Sequence, residues 1–346
     1  MRDEMKGGNF DSAAAPIFVM GCHRTGTTLV RRILNSHSRI EIYHESQYYP
    51  IFRHEIYYYG DLGKRANLIR FINDFREVIR VQCLDPSDRV PETEEFLEAL
   101  VAPTYEGVLA TSLLLYAQHH GKMRGGDKTP QHYAYLPEIS DSFPDSPIIF
   151  LMRDPRDTVL SIRERFNTSI EGATRHWNEA VYAYQQKTRP VLLLRYEDLV
   201  QRPTEIIKSM CEFLGEPYEA SMLRFFDKTP EQIIEQKGGK LLGPMDTSSV
   251  GRFESMSEAE IEQVERECAA GMQLMGYSFT ILQEEEAVKA RIILPSKRKF
   301  IVFVFDRLRY YNWNLTRWRH GWMRWKCMLK VRIRYLLMLG PFRKNW

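Results

Sequence analysis

The sequence predicts an α/β fold with three layers: a parallel sheet with helices on both faces. Two observations carry that expectation. Three short apolar runs, residues 16–20 (PIFVM), 147–152 (PIIFLM) and 191–194 (VLLL), are each followed by a segment with helical spacing. Continuous apolar runs of that length read as parallel strands buried on both faces, and their alternation with helices reads as a doubly wound sheet.

In chain order, residues 1–12 read as a disordered leader and 13–285 as one large domain. The first strand runs into a glycine turn. Residues 27–35 then have helical spacing, with Leu29, Ile33 and Leu34 on one face. A helix is expected over 68–81, a loop over 85–91, and two helices over 92–101 and 104–120. Thr104 and Glu106 suit the start of the last of these and Gly121 its end. The Gly125-Gly126-Asp127-Lys128 stretch reads as a polar turn after that helix. The second strand, 147–152, leads into a helix over 154–166. A further helix covers 171–187. The third strand leads to a helix over 203–214 closed by Gly215. A long loop over 236–251 and a last helix over 258–275 complete the domain.

The 346 residues are 44% hydrophobic and 27% charged, an ordinary globular composition. The net charge of +3 hides an asymmetry. Residues 291–346 carry fifteen Lys/Arg and one acid, Asp306, so an acidic body is followed by a basic tail. The five cysteines are scattered, without the spacing of a zinc site, and odd in number, which argues against a disulfide scaffold and fits a reducing compartment. No metal ligand set is evident, and a cytoplasmic chain is expected because no apolar leader segment is seen and no run of 18 apolar residues occurs.

The chemistry-bearing motif is Gly21-Cys22-His23-Arg24-Thr25-Gly26-Thr27-Thr28. Its spacing is that of a phosphate-binding loop, G-x-x-x-x-G-K-[ST], with Thr27 in place of the lysine. A glycine turn after a strand directs backbone N–H groups, and the positive end of the next helix, at an anion. A nucleotide kinase needs the missing lysine on its β- and γ-phosphates. Arg24 offers a cation from inside the loop instead. A P-loop-like kinase and a non-catalytic nucleotide- or membrane-binding scaffold are the alternatives.

Phe18 to Leu29, with its Arg24-Thr-Gly-Thr-Thr core, resembles the 5′-phosphosulfate loop of sulfotransferases that use 3′-phosphoadenosine 5′-phosphosulfate (PAPS). The resemblance implies a P-loop NTPase-like sulfotransferase fold and PAPS as a consumed co-substrate, leaving 3′-phosphoadenosine 5′-phosphate, with no metal. It assigns Arg24, Thr25, Gly26, Thr27 and Thr28 to the phosphosulfate. The strand ending in Arg153, with Ser161 eight residues on, resembles the 3′-phosphate region of the family. A strand-end arginine also pairs readily with an acid such as Asp154 or Asp157. Tyr196, in Tyr-Glu-Asp-Leu, matches a tyrosine near the adenine. Ser249 and Arg252, in Ser-Val-Gly-Arg-Phe, resemble the late loop over the nucleotide, with Phe253 in place of the usual tryptophan. By resemblance Glu45 is the base that deprotonates the acceptor, with His44 as the alternative. Lys128, in Gly-Asp-Lys-Thr-Pro, is a second cation beside Arg24. The match spans residues 16 to about 255 and leaves the acceptor open: a glycan, a lipid headgroup, or a small alcohol or phenol.

The extension over 286–346 interleaves arginines with Trp313, Trp318, Trp322 and Trp325. Aromatics and cations at helical spacing suit a basic helical segment on an anionic membrane surface, on the inner face of a membrane. Packing on the acidic body is the next reading, and nucleic acid is disfavoured.

Overall fold

The computed structural model describes residues 15–53, 55–82, 89–228 and 243–283. The expected leader, the basic extension and much of the 236–251 loop lie outside the described residues. In chain order the elements are β1 (Ile17–Gly21), α1 (Thr27–Asn35), β2 (Ile40–Tyr43), α2 (Tyr48–Phe52), α3 (Arg65–Gln82), α4 (Thr93–Glu98), α5 (Tyr105–His119) and β3 (Arg124–Lys128). There follow α6 (Leu136–Ser142), β4 (Ile148–Met152), α7 (Pro155–Phe166), α8 (Ile170–Gln185), β5 (Leu192–Arg195), α9 (Tyr196–Gln201), α10 (Pro203–Leu214) and α11 (Glu258–Met275).

The strands form one parallel sheet in the order β2-β3-β1-β4-β5. Successive residues of a strand face opposite sides, and both sides here are apolar. Ile17 and Val19 of β1, with Ile149 and Leu151 of β4, pack with α1 and α10. Phe18 and Met20, with Ile148, Phe150 and Met152, join the core that includes α3, α5, α8 and α11. The three layers predicted from the apolar runs are therefore present, with a separate core on each face.

Capping fixes the helix ends that position the site. Asp154 accepts from the Arg156 N–H at the start of α7, and Pro155 occupies the first turn, where its missing N–H costs nothing. Ser257 and Glu260 form a reciprocal cap on α11. Thr104 caps α5 by accepting from the Gly107 N–H, and Gly215 ends α10 in a left-handed conformation.

The structure corrects one stretch. Residues 124–128 are not a turn but β3, hydrogen-bonded between β1 and β2. Arg-Gly-Gly-Asp-Lys has no apolar residue to announce a strand. Its neighbours supply the apolar surface, and they lie too close for side chains. A Cβ at Gly125 would lie 2.2 Å from the Leu113 carbonyl oxygen, and one at Gly126 would lie 2.4 Å from both the Ile17 oxygen and Ile42 Cδ1. β2, with Ile40 and Ile42 buried, is a further strand that the three apolar runs did not include. Among the described residues Cys22, Cys211 and Cys268 are free and buried.

Candidate active site

From β1 the chain runs to β2 and β3 on one side of it, then crosses over to β4 and β5 on the other. The crevice at the carboxyl end of β1 is thus the switch point where open parallel sheets bind ligands. The glycine loop fills it. Thr25 closes the loop by donating its hydroxyl to the Cys22 carbonyl at 2.7 Å. Gly26 enters α1 with φ 97°, and a Cβ there would meet the Tyr196 ring at 2.6 Å. Thr27 and Thr28 begin α1, whose first-turn N–H groups have no acceptor within the helix.

Arg24 has φ 68°, a backbone state uncommon outside glycine. Its Nε donates to Ser161 Oγ at 3.1 Å, which ties the loop to α7. Desolvation, then the charges of Arg165 and Arg153, hold its guanidinium below the ordinary arginine range. Several cations thus converge where the loop ends.

Arg153 leaves β4 almost fully buried. It donates to the carbonyls of Arg24 (3.3 Å) and Ser249, and approaches Asp157 at 3.4 Å. The pairing with Asp157 is the one foreseen for a strand-end arginine. Its guanidinium lies 5.0 Å from the centre of the Tyr196 ring. The Trp177 indole N–H holds the Arg153 carbonyl at 2.9 Å. One donor is left over: Arg153 Nε is buried without a hydrogen-bond partner. An unpaired buried donor costs about 1–3 kcal/mol, and an anion would satisfy it. Asp157 also accepts from the backbone N–H groups of Gly251 and Phe253, both at 2.9 Å. Burial pushes its carboxyl up, opposed chiefly by Arg153. The late loop is thereby drawn over Arg153. Arg252 pairs with Glu164 of α7 at 2.7 Å.

Across the crevice, Lys128 ends β3 fully buried and meets Glu45 Oε1 at 2.5 Å. Burial lowers the lysine pKa, opposed by the charge of Glu45. Glu45 follows β2 with φ 135°, and its other oxygen accepts from Gln47 Nε2 at 3.3 Å. His44, the alternative base, is half-buried one residue earlier, and the ion pair with Lys128 belongs to Glu45. His23 of the glycine loop links the two halves of the site electrostatically. Burial and then His176 push its imidazole down to about 3, while Glu45 opposes the shift and Lys128 and Arg24 add to it.

The predicted residues therefore form two connected groups. Arg24, Ser161, Arg153, Tyr196 and Ser249 are joined by direct contacts on one side, and Glu45 and Lys128 on the other. Arg252 stands apart, on Glu164. The sequence reading passed over His23, Gln47, Asp127 and Asp157. The last was named only as a partner for Arg153, and a capping position in the first turn of α7 was its one signal. Among the described residues no group of three or more His, Cys, Asp or Glu is arranged to hold a metal ion.

Known proteins resemble this chain in sequence and in fold. A protein-tyrosine sulfotransferase of Drosophila melanogaster is 22% identical over 281 residues, which cover 75% of this chain and 51% of that protein. The chain thus spans about half the length of that relative. A putative protein-tyrosine sulfotransferase of Caenorhabditis briggsae is 25% identical over 277 residues, covering 75% of this chain and 88% of that protein. The sulfotransferase domain of the Synechococcus PCC 7002 olefin synthase has a similar fold, with a TM-score of 0.51 and 18% identity over 81% of this chain and 99% of that domain. The model of the sulfotransferase family matches residues 16–220. That stretch is more than half of the chain and contains the glycine loop, Arg153, Lys128 and every strand, so the chain belongs to the sulfotransferase family.

Proposed function

We propose that the chain transfers a sulfuryl group from PAPS to an acceptor hydroxyl or amine by in-line displacement. The observation that carries this reading is the Glu45–Lys128 pair at 2.5 Å, facing a glycine loop that carries its own arginine. PAPS, when bound, supplies the sulfuryl group and a phosphate leaving group. The chain supplies the rest. Glu45 takes the acceptor proton, a role that contributes roughly 10²–10⁴-fold when well positioned. Lys128 and Arg24 stabilise the negative charge that moves to the bridging oxygen and the sulfuryl oxygens. Arginine holds its charge throughout, so Arg24 stabilises without titrating.

Binding of the nucleotide falls to the other group. The N–H groups from Thr25 to Thr28 and the start of α1 receive the phosphosulfate. Arg153 and Ser161 receive the 3′-phosphate, and the unpaired Arg153 Nε supports that role. Tyr196 borders the adenine, and Ser249 with Arg252 closes the late loop. The acceptor is a hydroxyl or amine on a glycan, a lipid headgroup, or a small alcohol or phenol. For residues 291–346, which lie outside the described residues, we retain the reading of an anionic, cytoplasmic membrane surface. No described helix is long and apolar enough to cross a membrane.

Calorimetric titration with 3′-phosphoadenosine 5′-phosphate, without metal, tests the reading. Binding that needs the 3′-phosphate and weakens in Arg153→Ala is expected. Preference for ATP–Mg²⁺ over this nucleotide would overturn it and favour the kinase alternative.

A further inference from the structure

Behind Glu45 lies a buried polar assembly that the nucleotide site does not use. Ser46 is held twice by one carboxylate: its N–H donates to Asp127 Oδ1 and its hydroxyl to Asp127 Oδ2, each at 3.0 Å. Asp127 and Ser46 are both buried, at 0% and 1% exposure. The residues flanking Ser46 have positive φ, 135° at Glu45 and 52° at Gln47. Such backbone states cost about 1–3 kcal/mol each and persist where the surroundings over-determine them. The surroundings here are β3. Asp127 grips the turn from behind while Lys128, the next residue, holds the Glu45 carboxylate from in front. The Gln47 N–H completes the clamp on Thr129 Oγ1 at 3.4 Å, and its side-chain amide reaches Glu45 Oε2.

We infer that Asp127 is a positioning residue for the transfer reaction: through Ser46 it fixes the strained turn that aims the Glu45 carboxylate at the crevice and at Lys128. An alternating strand sends Asp127 and Lys128 to opposite faces. One carboxylate and one ammonium on consecutive residues therefore address the same turn from two sides. The clamp carries no substrate atom. Its effect is geometric, and a displacement of a base by about 1 Å can cost on the order of 10²-fold in rate.

The inference rests on the donor reading above, and the experiment separates the two. Turnover of sulfur-labelled PAPS with water as acceptor is measured for the wild type, Asp127→Asn, Ser46→Ala and the double variant. Calorimetric binding of 3′-phosphoadenosine 5′-phosphate and thermal unfolding are followed in parallel. Asp127→Asn replaces the oxygen that accepts from Ser46 Oγ with a donor, and Ser46→Ala removes that hydroxyl. The expected result is a kcat lower by roughly tenfold to a hundredfold in Asp127→Asn, with KM for PAPS and nucleotide affinity kept within about twofold. Ser46→Ala shows a smaller loss in the same direction, and the double variant is no worse than Asp127→Asn, because both substitutions break one linkage. Wild-type kcat in Asp127→Asn would overturn the inference. So would a loss that follows only the unfolded fraction, or losses that multiply in the double variant. A wild-type chain that binds no 3′-phosphoadenosine nucleotide would instead defeat the donor reading itself.

Discussion

Breaking the Glu45–Lys128 pair from its two ends should give different stabilities and a similar loss of activity. The asymmetry comes from burial: the Lys128 side chain is 0% exposed and that of Glu45 23%. Lys128→Met removes a desolvated ammonium, fills its volume with an apolar chain and leaves a carboxylate that water can reach. Exchanging a buried ion for a well-packed apolar group is often neutral or better, so a change within about 1 kcal/mol is expected. Glu45→Gln leaves the buried ammonium without its counter-charge. Removing one partner of a buried pair costs about 3–5 kcal/mol. The lower end applies here, because burial already lowers the Lys128 pKa and deprotonation offers relief. Turnover of PAPS should nonetheless fall in both variants, by roughly 10²–10³ for the lost cation and 10²–10⁴ for the lost base. Urea unfolding followed by circular dichroism gives the stabilities, and labelled sulfate release gives the rates. Equal destabilisation by the two substitutions would refute the burial argument. A Lys128→Met variant with wild-type stability and wild-type turnover would remove Lys128 from the chemistry.

Three further outcomes follow from the geometry. Burial raises the Asp127 carboxyl from 3.8 to about 6, against hydrogen bonds from Ser46 and Thr129 and the charge of Lys128, with His132 Nδ1 3.0 Å away. The folded chain therefore holds the extra proton between those values. Stability from this group is fully present below about pH 4 and is lost as pH rises through about 6, by about 3 kcal/mol; urea unfolding at pH 4 to 7 should show that slope in the wild type and not in Asp127→Asn. Gly26→Ala must accommodate φ 97° and displace the Tyr196 ring from a 2.6 Å contact, so a stability loss of about 1–3 kcal/mol is expected, with weaker nucleotide binding by calorimetry. Asp157→Asn weakens two backbone bonds to Gly251 and Phe253 and should lower nucleotide affinity about tenfold; unchanged affinity would separate the late loop from the nucleotide.

What the sequence made legible follows from where each signal resides. β1, β4 and β5 carry their own apolar side chains, α1 carries an apolar face in Leu29, Ile33 and Leu34, and α7 and α11 carry their own caps, so a local reading finds them within a residue or two. β3 carries neither: its burial is a property of Leu113, Ile17 and Ile42 pressing on bare backbone. The same holds in the site. Arg24 lies within the glycine loop and Arg153 just beyond β4, each inside a contiguous motif that can be recognised locally. Asp127 acts on Ser46 across 81 positions, and Gln47 acts through a left-handed backbone state that no residue type at 47 announces. Contacts of that kind exist only after the sheet has assembled.

The glycines of β3 bear on how such a site changes over time. A core usually absorbs a substitution by rotating neighbouring side chains, and Gly125 and Gly126 have none to rotate. Lys128 and Asp127 are thus mounted on a strand with no room for added side chains, whereas Arg24 and Ser249 sit in loops. The strand that carries Asp127 and Lys128 therefore tolerates almost no variation at Gly125 and Gly126.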